Sequence, residues 1–540
     1  MSKVERDWWR GCTIYQIYPR SYLDSNQDGI GDLPGIVSKL DYIAGLGVDA
    51  IWLSPFFTSP MKDFGYDVSD YRSVDPIFGD LDDFKRLVEK SHALGMKVMI
   101  DLVMSHTSDQ HPWFQESSQD RTNPKADWYV WADPKPDGTP PNNWLAMFGG
   151  SAWAWCAKRR QYYMHNFLTS QPDLNYHNAE VQDQMLEEVR FWLDLGVDGF
   201  RLDTVNYYFH DKQLRDNPPL PKDAKKTLGA PEQNPYSLQL HVYDISRPDN
   251  IGFLKRLRAL LDEYEGITTV GEIGADEPLK IMADYTAGSD KLHMAYTFDL
   301  LNVFHEPTYI RQVVERLENQ IGDGWACWAL SNHDVVRCVT RWANGRDRAP
   351  FAKLLLGLLL SLRGSACIYQ GEELGLPEAD VPYERLQDPY ALPFWPEYKG
   401  RDGCRTPMVW ESDKPYGGFS SIDPWLPVSE EHLGLAPDVQ EKDPNSVLNF
   451  YRGFIHWRKQ QSALKAGAIR MLDAPEGGLL FERSDEEQRI VVALNMTAET
   501  IRIPCRMANV SAMSGHGYSG VLEGEDIVLP PYQAFFGELK

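Results

Sequence analysis

The chain has 540 residues, 43% of them hydrophobic, which suits two or three domains with substantial cores. Its 54 basic and 78 acidic residues leave a net charge of −24, which argues against nucleic acid or an anionic membrane as partner, because both select basic patches. Seven scattered cysteines without a Cys-x-x-Cys pair indicate neither a disulfide framework nor a zinc site; with no apolar leader and no membrane-length apolar run, a soluble cytoplasmic protein is expected.

The first strand candidate is Thr13–Tyr18. After it, the segment 24–32 carries oxygen donors at alternate positions: Asp24, Asn26, Asp28, the carbonyl of Ile30, and Asp32. Hard oxygen donors with glycines for sharp turning suit a structural Ca²⁺ or Mg²⁺. Gly35 stands where an EF-hand needs its bidentate Glu, so this is a different kind of loop. Seven further strand candidates follow, at Ala50–Leu53, Lys97–Leu102, Gly199–Asp203, Thr268–Ile273, Ala295–Phe298, Cys327–Leu330 and Ala366–Tyr369. They are apolar on nearly both faces, as parallel strands buried between a core and a helix layer must be. Amphipathic stretches alternate with them; in Val181–Leu195, apolar residues recur at spacings of three and four. Eightfold strand–helix alternation predicts a (β/α)8 barrel.

Uneven spacing locates the rest. Nearly a hundred residues separate the third and fourth strands, and the excess, 106–176, is rich in Trp, Pro, Asn and Asp and predicts a small inserted domain. A Pro-rich connection at 215–250 predicts an ordered loop, and a third long connection runs from Gly371 to about Trp425. From residue 461 the pattern becomes short alternating strands, a C-terminal β-sandwich. The barrel would occupy 1–105 and 177–460. The insertions follow the C-terminal strand ends, the face on which barrel enzymes build their sites.

Three strand ends each deliver a carboxylate: Asp203 in Gly-Phe-Arg-Leu-Asp-Thr, Glu272 in Gly-Glu-Ile, and Asp334 in Asn-His-Asp. Residues two apart on a strand face the same way, so Arg201 accompanies Asp203 and favours its ionised form. An anionic Asp facing a separate acid is the pair that a retaining glycosidase uses as nucleophile and acid/base.

These motifs, with Asp101-Leu-Val-Met-Ser-His106, resemble those of the α-glucosidases in glycoside hydrolase family 13, the α-amylase family, and the likeness runs through the whole chain. The resemblance implies Asp203 as nucleophile, Glu272 as acid/base, and Asp334 as the third carboxylate, gripping sugar hydroxyls. It implies that His106 and His333 bond hydroxyls of the same ring, that Arg201 holds the nucleophile, that Asp63 and Tyr66 close the end of the pocket on the terminal glucose, and that Arg401 contacts the same sugar. Phe148 and Phe167 resemble aromatic walls of that pocket, and Phe209 is a further aromatic just past strand four. Gln171-Pro-Asp-Leu-Asn175 is similar to the form found in the oligo-1,6-glucosidase group, whereas Thr204 after the nucleophile resembles members preferring α-1,4 linkages. The implied activity is removal or transfer of the non-reducing terminal glucose of short α-glucosides such as maltose or aryl and alkyl glucosides, with a structural divalent cation and no organic cofactor. Glucosyl transfer and isomerisation use the same covalent intermediate and stand as the near alternative. Amino-acid transporter heavy chains also resemble this barrel, but they carry a membrane span and often lack the full carboxylate set.

Overall fold

The computed structural model describes residues 7–222, 230–231, 233–343, 345–505 and 507–540. Eight parallel strands form the barrel: β1 (Thr13–Ile17), β2 (Ala50–Leu53), β3 (Lys97–Leu102), β4 (Gly199–Leu202), β5 (Thr268–Ile273), β6 (Met294–Thr297), β7 (Cys327–Ala329) and β8 (Ser365–Tyr369). The hydrogen-bonded order is β6-β5-β4-β3-β2-β1-β8-β7. A single bridge, Ala295 to Ala326, joins β6 to β7 and completes the ring. Six strand ends differ by a single residue from the sequence expectation, among them the C-terminal ends of β1 and β6. β1 stops before Tyr18 because Pro19 opens a 3₁₀ turn, and β6 stops before Phe298, where another such turn begins under the Thr297 side chain.

The two-residue period of each strand sorts its side chains into two cores. Ile51, Val98, Ile100, Phe200, Leu202, Ala295 and Ile368 point outward into the large core beneath the helices. Ile14, Trp52, Met99, Val270, Met294, Cys327 and Cys367 point inward and fill the barrel. The same inward parity, carried to the C-terminal strand ends, brings in Gln16, Asp101, Arg201, Glu272 and Tyr296. Strand register sets Asp101 beside Arg201 and Glu272 beside Tyr296.

The helices read as their periodicity requires. α1 (Ala179–Asp194) buries Val181, Met185, Val189 and Trp192 on one stripe, and Asn178 caps it by accepting from the Glu180 amide. α2 (Arg348–Ser361) is apolar almost all round and correspondingly buried almost all round.

Between β3 and β4 lies a three-stranded antiparallel sheet, Trp131–Ala132, Gln161–Met164 and Trp153–Cys156, over its own small core including Trp144 and Trp153. Most of the Pro-rich connection after β4 is loop, with one 3₁₀ turn at Pro235–Leu238; the part at 223–229 and Glu232 lies outside the described residues. The C-terminal domain has five-stranded and three-stranded antiparallel sheets, with Leu480, Val491, Ile503, Ile527 and Phe535 in a common core. All seven cysteines are free, and Cys12, Cys327 and Cys367 are buried. Among the described residues no helix is long and apolar enough to cross a membrane.

Candidate active site

At the C-terminal end of the barrel is an open pocket. Asp63, Tyr66, His106, Phe148, Phe167, Asp203, Thr204, Glu272, Asp334 and Arg401 line it. Of the expected site residues, Arg201 and His333 lie just behind the wall and reach it through partners. Phe209 packs on Tyr176 and His177 and is not part of the lining.

Arg201 is the centre of the charge arrangement. Its Nη1 donates to Asp203 Oδ1 at 2.5 Å and to Asp101 Oδ1 at 2.8 Å, and its Nη2 meets Glu272 Oε1 at 2.7 Å. One buried guanidinium therefore spans both carboxylates at the ends of β4 and β5. Their proximity is also fixed by the backbone, because the Thr204 amide donates to Glu272 Oε2 at 3.2 Å. Thr204 adopts φ 38°, an unusual value for a β-branched residue. Its hydroxyl lies 3.3 Å from Asp203 Oδ2 and 3.1 Å from Ser105 Oγ.

Asp334 stands across the pocket, receiving Arg405 Nη2 at 2.9 Å, His333 Nε2 at 3.2 Å and Arg401 Nη1 at 3.4 Å. Arg401 also forks onto Asp63 at 2.8 Å and Asp388 at 2.7 Å. The turn carrying Asp63 and Tyr66 needs positive φ at Phe64 and Gly65, and a Cβ on Gly65 would come within 3.1 Å of Pro55. Gln171 donates to Asp63 Oδ2 at 3.0 Å. Tyr66 lies flat on His333, with ring centroids 5.3 Å apart. These groups close one end of the pocket. Its wall is aromatic: Phe148 stacks on Tyr390 at 4.4 Å, and Phe167 stacks on Tyr207 at 5.6 Å.

Burial and charge separate the proton affinities. Desolvation pushes Glu272 up to about 7, against the pull of Arg201 and with the help of the neighbouring Asp203 and Asp334. Desolvation lifts Asp203 to about 6, opposed by Arg201. Burial also acts to raise Asp334, but His333, Arg405 and Arg401 hold it well below the usual carboxylate range. Burial lowers His106 to about 4, so it is neutral, with Nε2 donating to the Tyr66 carbonyl at 2.9 Å. At neutral pH the pocket thus holds an ionised Asp203, an ionised Asp334, and a Glu272 poised to keep or release one proton.

A model of the α-amylase catalytic domain matches residues 16–467. The chain is 56% identical to a probable α-glucosidase of Rhizobium meliloti, over 99% of this chain and 98% of that one. The chain belongs to the α-amylase family. It is also 35% identical to an oligo-1,6-glucosidase of Heyndrickxia coagulans, over 98% of each chain. The crystal structure of an α-glucosyl transfer enzyme, 55% identical, superposes with a TM-score of 0.97 over 99% of both chains.

In this α-amylase-family pocket, several residues join that sequence reasoning did not assign. Asp101 is fully buried beneath Arg201, and Tyr296 links Arg201 to Glu272. Asp388 and Arg405 come from the long connection after β8 and hold Arg401 and Asp334. Inward strand parity was a usable signal for Asp101 and Tyr296; nothing periodic marks Asp388 or Arg405.

The loop 24–32 lies apart from this pocket. Asp24 accepts from the amides of Gln27 at 2.6 Å and Gly29 at 2.9 Å, and Asp28 accepts from the Ile30 amide at 2.8 Å. Asp32 caps the helix Leu33–Leu46 through the Gly35 amide at 2.6 Å. The donor chemistry fits a hard divalent cation, while the same oxygens serve here as hydrogen-bond acceptors. Among the described residues no three or more His, Cys, Asp or Glu side chains converge as a metal cluster, this loop included.

Proposed function

We propose that the protein is a retaining, exo-acting α-glucosidase that hydrolyses, and also transfers, the non-reducing terminal glucose of short α-glucosides, with α-1,4 linkages preferred. The observation that carries this reading is the shared guanidinium: Arg201 holds Asp203 and Glu272 together in a pocket closed at its far end by Asp63 and Arg401. A closed end admits one terminal sugar, which makes the cut exo.

The Asp203 carboxylate attacks the anomeric carbon while the glycosidic C–O bond breaks, and the leaving oxygen takes the proton of Glu272. A β-glucosyl ester on Asp203 and an anionic Glu272 result. Glu272 then removes a proton from water or from an acceptor hydroxyl, whose oxygen displaces Asp203 and restores the α configuration. Asp334, His106 and Arg401 grip ring hydroxyls, and Asp334 gains most when positive charge develops on the ring. Phe148 and Phe167 supply apolar faces, and His333 acts through Tyr66 and Asp334. Thr204, beside both carboxylates, is placed to read the first sugar of the leaving group, and we assign it the linkage preference.

Initial rates on maltose, isomaltose and sucrose, with configuration of the first product followed by NMR, test this reading. Release of β-glucose first, or isomaltose turned over faster than maltose, would count against it. Glucosyl transfer is the second reading, favoured by the 55% identity to an α-glucosyl transfer enzyme. Incubating maltose with a phenolic acceptor and separating glucose from glucoside decides the ratio.

The loop 24–32 we assign one structural Ca²⁺ or Mg²⁺, held by Asp24, Asn26, Asp28, the Ile30 carbonyl and Asp32. Chelation should lower the melting temperature, and an Asp28→Ala variant should be insensitive to the chelator. A wild-type melting temperature that the chelator leaves unchanged would remove the cation from the proposal.

A further inference from the structure

Tyr296 sits at the end of β6, directly beside Glu272 in the register of the two strands. Its ring is buried beneath the pocket, in the barrel interior with Trp52, Val270 and Cys327. Its hydroxyl meets Arg201 Nε at 3.2 Å and Nη2 at 2.8 Å, and Glu272 Oε1 at 2.8 Å. A guanidinium carries donors only, so the phenol oxygen accepts from Arg201 and its single proton is left for Glu272.

Glu272 Oε1 therefore faces two donors, the phenol and Arg201 Nη2, the latter at 2.7 Å. A proton on that oxygen would point at another proton. Oε2 has one long contact, the Thr204 amide at 3.2 Å. We propose that Tyr296 is a positioning residue for the acid/base: it keeps Oε1 unprotonated, confines the transferable proton to Oε2, and steadies the carboxylate that must take a proton back when the intermediate is resolved. This rests on the reading of Glu272 as acid/base. The other charged or titratable groups acting on Glu272 are Asp101 from β3, Arg201 and Asp203 at β4, Tyr207 in the loop beyond, and Asp334 after β7. Among these groups only Arg201 and Tyr296 donate a side-chain hydrogen to Glu272.

The test is Tyr296→Phe, which removes one oxygen and keeps the ring that fills the barrel. Losing a donor to a charged oxygen raises the proton affinity of Glu272, so the alkaline limb of kcat/KM on maltose should move up by about one pH unit. With 4-nitrophenyl α-glucoside, resolution of the intermediate should become limiting: kcat falls roughly tenfold and KM falls with it. Replacement of Tyr296 by difluorotyrosine, a stronger donor, should move the limb down instead. An alkaline limb left in place by both substitutions, or equal losses of kcat/KM on the two substrates, would overturn the proposal. The two readings fail separately. A wild type without an alkaline limb refutes Glu272 as the acid, whereas a wild-type limb indifferent to residue 296 refutes Tyr296 alone.

Discussion

Replacing Glu272 by Gln isolates the proton from everything else the residue does. The amide oxygen can still accept from Arg201 and Tyr296, as Oε1 does at 2.7 and 2.8 Å. Only the transferable hydrogen is lost. On the proposed roles, the productive wild-type form has Asp203 ionised and Glu272 protonated, and burial places them at about 6 and about 7. With apparent values one unit apart, that form peaks at a fraction of about 0.6 near a pH of about 6.5 and falls roughly tenfold per unit well above the upper value. Maltose has a poor leaving group, so kcat/KM should fall by about 10² to 10⁴ in the variant. Nitrophenolate leaves with little help, and kcat/KM on its α-glucoside should fall less than about tenfold and lose its alkaline limb. Glucose release and nitrophenolate absorbance, followed from about pH 5 to about pH 9, measure both. Equal losses on the two substrates, or an alkaline limb surviving in the variant, would refute the assignment of Glu272.

Two further outcomes are expected. Thr204→Val keeps the branched shape but removes the hydroxyl between Asp203 and Ser105, so the maltose-to-isomaltose rate ratio should fall; an unchanged ratio detaches linkage choice from this residue. Glu372, in the first turn after β8, is fully buried, and desolvation raises it from 4.5 to about 8. The folded state therefore holds a proton that the unfolded chain releases, and this residue's contribution to stability falls as pH rises across that window. Glu372→Gln lacks this dependence, so thermal melts should show the variant gaining on wild type as pH rises through that window, and a constant difference would count against it.

Much of this arrangement was legible because it repeats. Each barrel strand is a short run apolar on both faces, and eight such runs within a residue of their final limits are visible without coordinates. The Arg201–Asp203 pair follows from the two-residue period of one strand. What the period of a single strand does not carry is register. That Asp101 sits beside Arg201, and Tyr296 beside Glu272, depends on how neighbouring strands are staggered. Loop contacts are harder still. Arg401 was picked out by resemblance, but its partner Asp388 lies thirteen residues away in an irregular connection, and Arg405 reaches Asp334 from a turn with no period to betray it. Gln171 was quoted for its motif, and its bond to Asp63 joins segments 108 positions apart.

Most neighbouring strands share four or more paired positions, whereas β6 and β7 are joined by one bridge, with the Ala295 amide 3.3 Å from the Trp325 carbonyl. This seam is where the ring unzips at least cost. Deuterium should enter 294–297 and 327–329 before any other barrel strand, and warming should part Tyr296 from the Asn332-His333-Asp334 segment while the remaining staves still hold. Heat inactivation would then begin as the springing of a single joint, ahead of the melting of the cask.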